Sequence, residues 1–195
     1  MPPALLAPPL TLADFLQQPE TTPPQEYING QTWPKPMPKG KHSLLQTRLV
    51  SAINQHALPQ RLAHAFTELR CTVGDRSLVP DLSIFTWDRI PLTPAGDIAD
   101  HFELAPDWTI EILSPDQSQT RVINNILHLL NHGTTLGWLI DPAERTILTF
   151  QAQQQPRLHD HPTDPLPTLP SLSPWTLSPG EIFSWLHLSP HPQTP

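Results

Sequence analysis

Two carboxylates stand where the pattern of the chain predicts burial. Asp81 lies in Val79-Pro80-Asp81-Leu82-Ser83-Ile84-Phe85, and Glu111 follows thirty positions later in Trp108-Thr109-Ile110-Glu111-Ile112-Leu113-Ser114-Pro115. Both stretches read as short strands, apolar and β-branched runs bounded by Pro, Asp and Ser. An ionised carboxylate inside such a strand must be protonated, paired or bound to a metal. Two of them on neighbouring strands would offer hard oxygen donors to a divalent cation. Each also has a plainer reading. An Asp after Pro suits a turn or cap, and strand alternation puts Glu111 with Thr109 and Leu113, on the face opposite Trp108, Ile110 and Ile112, where it could meet water.

The surrounding elements must position these residues. Thr11-Leu12-Ala13-Asp14 resembles a capping box opening a short helix, Leu12 to Gln18, stopped by Pro19. Glu26-Tyr27-Ile28-Asn29-Gly30-Gln31 reads as a strand entering an Asn-Gly turn, with a second strand from Gln31 to Trp33. After a proline-lysine loop, Leu44, Leu45, Leu49, Val50, Ile53 and Ala57 form a helical stripe beginning at His42 or Ser43. Phe66 to Val73 reads as one strand and Gly74-Asp75-Arg76-Ser77 as the turn into the Asp81 strand. Residues 88–107 read as an excursion with little regular structure. The Glu111 strand ends at Ser114-Pro115-Asp116. A second amphipathic helix spans Ser118 to His132, with Gly133 as its C-cap. Its polar face carries Arg121, Asn124, Asn125, His128 and Asn131. A strand pair follows, Leu136 to Pro142 and Thr146 to Gln151, then a Pro-rich connector over 156–179 and a last helix, Ile182 to Leu186.

This order predicts a mixed α/β (α+β) domain, one sheet with helices on both sides, over 11–188. Residues 1–10 and 189–195 are expected to be disordered. It is not a regular βαβ alternation, and no Gly-rich phosphate loop is present.

Composition narrows the function. The net charge of -7 argues against a broad electrostatic nucleic-acid surface, though not against a local basic strip. Lys35, Lys39 and Lys41 are the only lysines, and none follows residue 41. The single Cys71 excludes an intramolecular disulfide and a Cys-rich zinc site, and reads as a small core residue. His128, His159 and His161 show no zinc-ligand spacing. Tyr27 and Trp138 read as core aromatics. No apolar run is long enough to span a membrane, and no signal peptide is visible. The expected setting is cytoplasmic.

Six blocks taken together resemble a known family. They are Glu26-Tyr27-Ile28-Asn29-Gly30-Gln31, Lys41-His42-Ser43, Val79-Pro80-Asp81, Glu111-Ile112-Leu113-Ser114-Pro115, the helix ending at Gly133, and Gly137-Trp138-Leu139-Ile140-Asp141-Pro142. In this order they resemble the Uma-type family of restriction-endonuclease-like proteins, within the PD-(D/E)xK nuclease superfamily. The resemblance implies a restriction-endonuclease-like core, a mixed central sheet flanked by helices, in which Asp81 and Glu111 hold Mg²⁺ (or Mn²⁺) and DNA phosphodiesters are hydrolysed. A homodimer would suit cleavage of two strands.

The superfamily lysine is missing from its usual place. Two residues after Glu111 stands Leu113, and the helix positions where Uma-type members carry a lysine hold Asn124 and Asn125. Losing one donor of this kind typically costs about 10²–10³ in rate. Arg121, one turn earlier on the same polar face, is the substitute cation the sequence suggests, although it also suits a solvated helix face. Lys41 could approach from the first long helix. Glu26 is a further candidate for metal or base work, or a strand-edge charge. His42 reads as a helix-start residue rather than a ligand. The alternative function is a degenerate family member that binds nucleic acid or protein without cleaving.

Overall fold

The computed structural model describes residues 10–115 and 117–188. The expected terminal disorder falls almost entirely outside these residues, as does Asp116 at the end of the Glu111 segment.

Two sheets form, where the sequence suggested one. The larger has six strands in the order β10-β9-β8-β7-β6-β3: β3 (Ala63–Thr67), β6 (Leu82–Thr86), β7 (Trp108–Ile112), β8 (Leu136–Asp141), β9 (Thr146–Gln151) and β10 (Arg157–His159). The smaller has the order β2-β1-β5-β4: β1 (Gln25–Ile28), β2 (Gln31–Pro34), β4 (Cys71–Val73) and β5 (Arg76–Leu78). The segment from Phe66 to Val73 is therefore not one strand. Glu68, at φ 49°, breaks it, so β3 and β4 join different sheets. Arg76 and Ser77, read as a turn, belong instead to β5, paired with β4 across Gly74-Asp75.

The helices are α1 (Leu12–Leu16), α2 (Gly40–Ala57), α3 (Gln119–Asn131) and α4 (Pro179–Ser184). The Thr11 hydroxyl caps α1, accepting from Asp14 N at 3.1 Å. The stripe of α2 packs Leu45, Leu49, Ile53 and Ala57 on the sheet face that carries Leu82, Ile84, Trp108, Ile110, Ile112, Trp138 and Ile140. On the opposite face, Val122 and Ile126 of α3 meet Leu139 and Phe150. This helix connects β7 to β8, which are parallel neighbours. Its approach is close because β8 offers a glycine: a Cβ on Gly137 would stand 2.5 Å from Ile126 Cγ2.

The 156–179 segment is more than a connector. Its Arg157–His159 portion adds β10 to the sheet edge, and Leu166, Leu169, Leu172 and Leu177 enter the main core. Tyr27 and Trp138 are core aromatics, and Cys71 is buried, its thiol pushed up by burial to about 11. Among the described residues no helix is long and apolar enough to cross a membrane.

Candidate active site

Strand pairing brings the two carboxylates together. β6 and β7 run antiparallel with Leu82 opposite Ile110, so extending the register by one residue sets Asp81 opposite Glu111. Ile112 N donates to Asp81 Oδ2 at 2.7 Å, which ties Asp81 to the adjoining strand end. Its backbone carbonyl accepts from Gln46 Nε2 of α2 at 3.1 Å and from Glu68 N at 3.2 Å. Glu111 does not face water. Its side of the sheet is covered, and only 4 % of it remains exposed, against 2 % of Asp81.

A lysine sits between them. Lys35, the residue after β2, is held by its backbone N–H on Pro24 O at 2.9 Å. Its Nζ donates to Asp81 Oδ1 at 2.8 Å and to Val79 O at 2.6 Å, and lies 3.5 Å from Glu111 Oε2. Burial works against the ammonium, but the carboxylates of Asp81, Glu111 and Glu26 outweigh it and hold its pKa above the ordinary value. It stays charged.

Glu26 of β1 closes the cluster. Its Oε1 accepts from Val79 N at 2.9 Å and its Oε2 from Asn125 Nδ2 of α3 at 3.1 Å. Burial raises the Glu26 pKa from its ordinary value, although Lys35 opposes this, and raises that of Glu111 well above its ordinary value for the same reason. His42, at the start of α2, places Nε2 2.9 Å from Asp81 Oδ2. It is therefore a partner of the acidic centre rather than only a helix-start residue. Desolvation lowers its pKa, Asp81 opposing.

Arg121 is placed elsewhere. Its guanidinium carbon lies 3.8 Å from the centre of the Trp33 ring. The structure thus brings together Asp81, Glu111 and Glu26, three of the residues the sequence singled out, and adds Lys35, which the sequence reading did not single out, and His42, which it took for a helix-start residue. The available signal for Lys35 was the crowding of all three lysines into residues 35–41.

Asp81 and Glu111 are the residues that could offer oxygen donors to a divalent ion. Three buried carboxylates face one buried ammonium, so full ionisation leaves two negative charges unbalanced. Among the described residues no three His, Cys, Asp or Glu side chains group closely enough for a complete protein shell. Mg²⁺ does not require one, since it commonly binds one or two carboxylates and fills its remaining positions with water and phosphate.

The mixed sheet flanked by helices, with an acidic cluster between the paired ends of β6 and β7 and the smaller sheet, defines a protein of the nuclease-fold class. The sequence matches the Uma2 family, described as "Putative restriction endonuclease", over residues 12–181, and the chain belongs to that family. It is also similar to a crystal structure described as a putative nuclease belonging to DUF820 from Anabaena variabilis ATCC 29413. The two share 55% identity with a TM-score of 0.90, over 92% of this chain and 100% of that one. No curated protein matches.

Proposed function

We propose that this chain is a Mg²⁺- or Mn²⁺-dependent endonuclease that hydrolyses phosphodiester bonds in DNA, with Asp81 and Glu111 holding the ion. The observation that carries the reading is the convergence of these two buried carboxylates on adjacent strands, within a cluster short of positive charge. Bound there, the ion would supply Lewis-acid charge to the phosphodiester. Asp81 keeps its orientation through Ile112 N and His42, so its oxygens are fixed before substrate arrives. Glu26 anchors the Val79 amide and thereby the turn into Asp81.

A cavity of about 620 Å³ beside His42 supports an approach path for the nucleic-acid backbone. Lys39, Gly40 and Lys41 line it at the N-terminus of α2, where exposed amides and the helix dipole favour phosphate. Cutting both strands of a duplex would call on a second copy, and a homodimer is part of the proposal.

The test is calorimetric titration of Mn²⁺ into the wild type, Asp81→Ala and Glu111→Ala, with plasmid nicking on the same samples. Binding and nicking lost together in both variants support the reading. Nicking that survives in both variants excludes it. Binding without nicking in the wild type would favour the alternative, a binding module that has lost its chemistry.

A further inference from the structure

We infer that Lys35, delivered from the end of β2, is the catalytic cation of this site, taking over a role that the polar face of α3 does not fill. The inference rests on the nuclease reading above. It begins from geometry that belongs to this chain. Lys35 Nζ lies 2.8 Å from Asp81 and 3.5 Å from Glu111, so it touches both carboxylates proposed to hold the ion. A lysine serving only to neutralise one buried acid needs one partner. This one is aimed into the gap between two.

The face of α3 offers no competitor. Asn125 is buried there, but it is neutral and its Nδ2 is spent on Glu26 Oε2 at 3.1 Å. Arg121 is stacked on Trp33. The two routes converge on the same cluster, because Glu26, which Asn125 holds, also feels the Lys35 charge. A long cationic side chain on α3 at position 125 would point toward the cluster that Lys35 reaches from β2.

The Lys35 hydrogen bonds are unequal, and that matters for chemistry. Those to Val79 O and Asp81 Oδ1 are short at 2.6 and 2.8 Å, whereas 3.5 Å to Glu111 Oε2 is at the limit of a hydrogen bond. Of the three N–H donors, the third is thus weakly committed. It can turn to a phosphoryl oxygen lying between the carboxylates. Hydrolysis adds water across one P–O bond. The water oxygen bonds to phosphorus, one sugar oxygen leaves with its bonding pair, and the two water protons end on that oxygen and in solvent. Lys35 neither gains nor loses a proton overall. Its N–H faces the negative charge that builds on the phosphoryl oxygens, where a preorganised donor is most effective.

The experiment compares wild type, Lys35→Met, Lys35→Arg and the double variant Lys35→Met/Asn125→Lys. Each is assayed for thermal melting, Mn²⁺ binding by calorimetry, duplex binding in Ca²⁺ by anisotropy, and single-turnover plasmid nicking. The expected result is a folded Lys35→Met that binds Mn²⁺ and DNA at least as well as wild type but nicks about 10²–10³ more slowly. The double variant should recover tenfold or more of that loss. Wild-type nicking by Lys35→Met, with tighter Mn²⁺ binding, would make Lys35 a mere placeholder for the ion and overturn the inference alone. Loss of Mn²⁺ binding in Lys35→Met would equally overturn it, by making Lys35 part of the ion's support. Should Lys35→Met fail to melt cooperatively, the double variant decides: folding with nicking supports the inference, folding without nicking overturns it. If it also fails to fold, Lys35→Arg decides: slowed nicking with intact Mn²⁺ binding supports the inference, and an undiminished rate overturns it. A wild type that neither binds Mn²⁺ nor nicks removes the nuclease reading and this inference together.

Discussion

His42 Nε2 stands 2.9 Å from Asp81 Oδ2, on the side of the carboxylate away from Lys35. The carboxylate accepts, so Nε2 carries the proton, and Nδ1 is left buried without a partner among the described residues. The imidazole is a brace. It fixes one Asp81 oxygen while Lys35 fixes the other.

This brace has a measurable consequence. Removing a partner that orients a metal-binding carboxylate typically costs about 10–100-fold in affinity or activity. His42→Ala should therefore lower Mn²⁺ affinity and nicking together within that range. His42→Gln, whose Nε2–H can reach the same oxygen, should retain most of both. Equal losses in the two variants would show that the ring does something other than hold Asp81.

Glu26 carries a cost that pH should reveal. Burial raises its folded-state pKa, with Lys35 opposing. The folded chain therefore holds this proton more tightly than the unfolded chain. The stability linked to it is fully present below the unfolded value, about pH 4.3, and is lost as pH rises through the folded value. Glu26→Gln keeps an acceptor for Val79 N, and its amide can turn to Asn125 Oδ1, which is buried and has no partner among the described residues. In metal-free buffer the variant should gain Tm relative to wild type as pH rises from 4 to 8. A gap opening by about 3 °C corresponds to roughly 1 kcal/mol in a chain of this size. A gap that stays constant with pH would mean that the charge costs nothing in the fold.

How much of this was legible in the sequence depended on whether a residue lay in a periodic element. The α2 stripe, the β8–β9 pair and the alternation around Glu111 are patterns of period 3.6 or 2, and they located the strands that carry the carboxylates, whereas the pairing of those strands is visible only in the structure. Lys35 lies in a proline-lysine loop without periodicity. Its destination is decided by how the β1–β2 hairpin docks through β5, a long-range pairing that local residues do not encode. His42 looked like a helix start because it is one, and only its rotamer reveals Asp81 as its partner. The 156–179 segment misled through its prolines: the leucines between them are spaced neither as a strand nor as a helix, yet they bury as the chain wraps the core.

The contact of α3 with β8 should be intolerant of a single methyl group. A Cβ on Gly137 would meet Ile126 Cγ2 at 2.5 Å, and the helix bearing Ile126 also bears Asn125. Gly137→Ala should destabilise by about 1–3 kcal/mol through overpacking. Ile126→Leu removes the offending methyl branch at Cβ, so the double variant should be more stable than the sum of the single changes predicts. Urea unfolding of the four proteins gives the coupling directly. Strict additivity would mean that the clash is relieved elsewhere, by movement of β8.

Arg121 makes the last prediction, because its position argues for binding rather than chemistry. It is exposed in the first turn of α3, and its guanidinium lies 3.8 Å from the centre of the Trp33 ring. Trp33 precedes Lys35 by two residues, and with Arg121 it lines a surface pocket beside Asn29, Gln31 and Asn124. A cation–π contact at such a site is worth about 0.5–1 kcal/mol, enough to hold the side chain in place. A guanidinium fork suits a phosphate oxygen of the backbone. Arg121→Ala should weaken duplex binding, raising KM several-fold, while kcat stays within about threefold of wild type. Arg121→Lys should recover little, since the ammonium lacks the planar stacking surface. Trp33→Ala should reproduce the binding loss, because it removes the ring under the guanidinium rather than the charge. A fall in kcat of a hundredfold or more with unchanged KM would instead put Arg121 at the reacting phosphate.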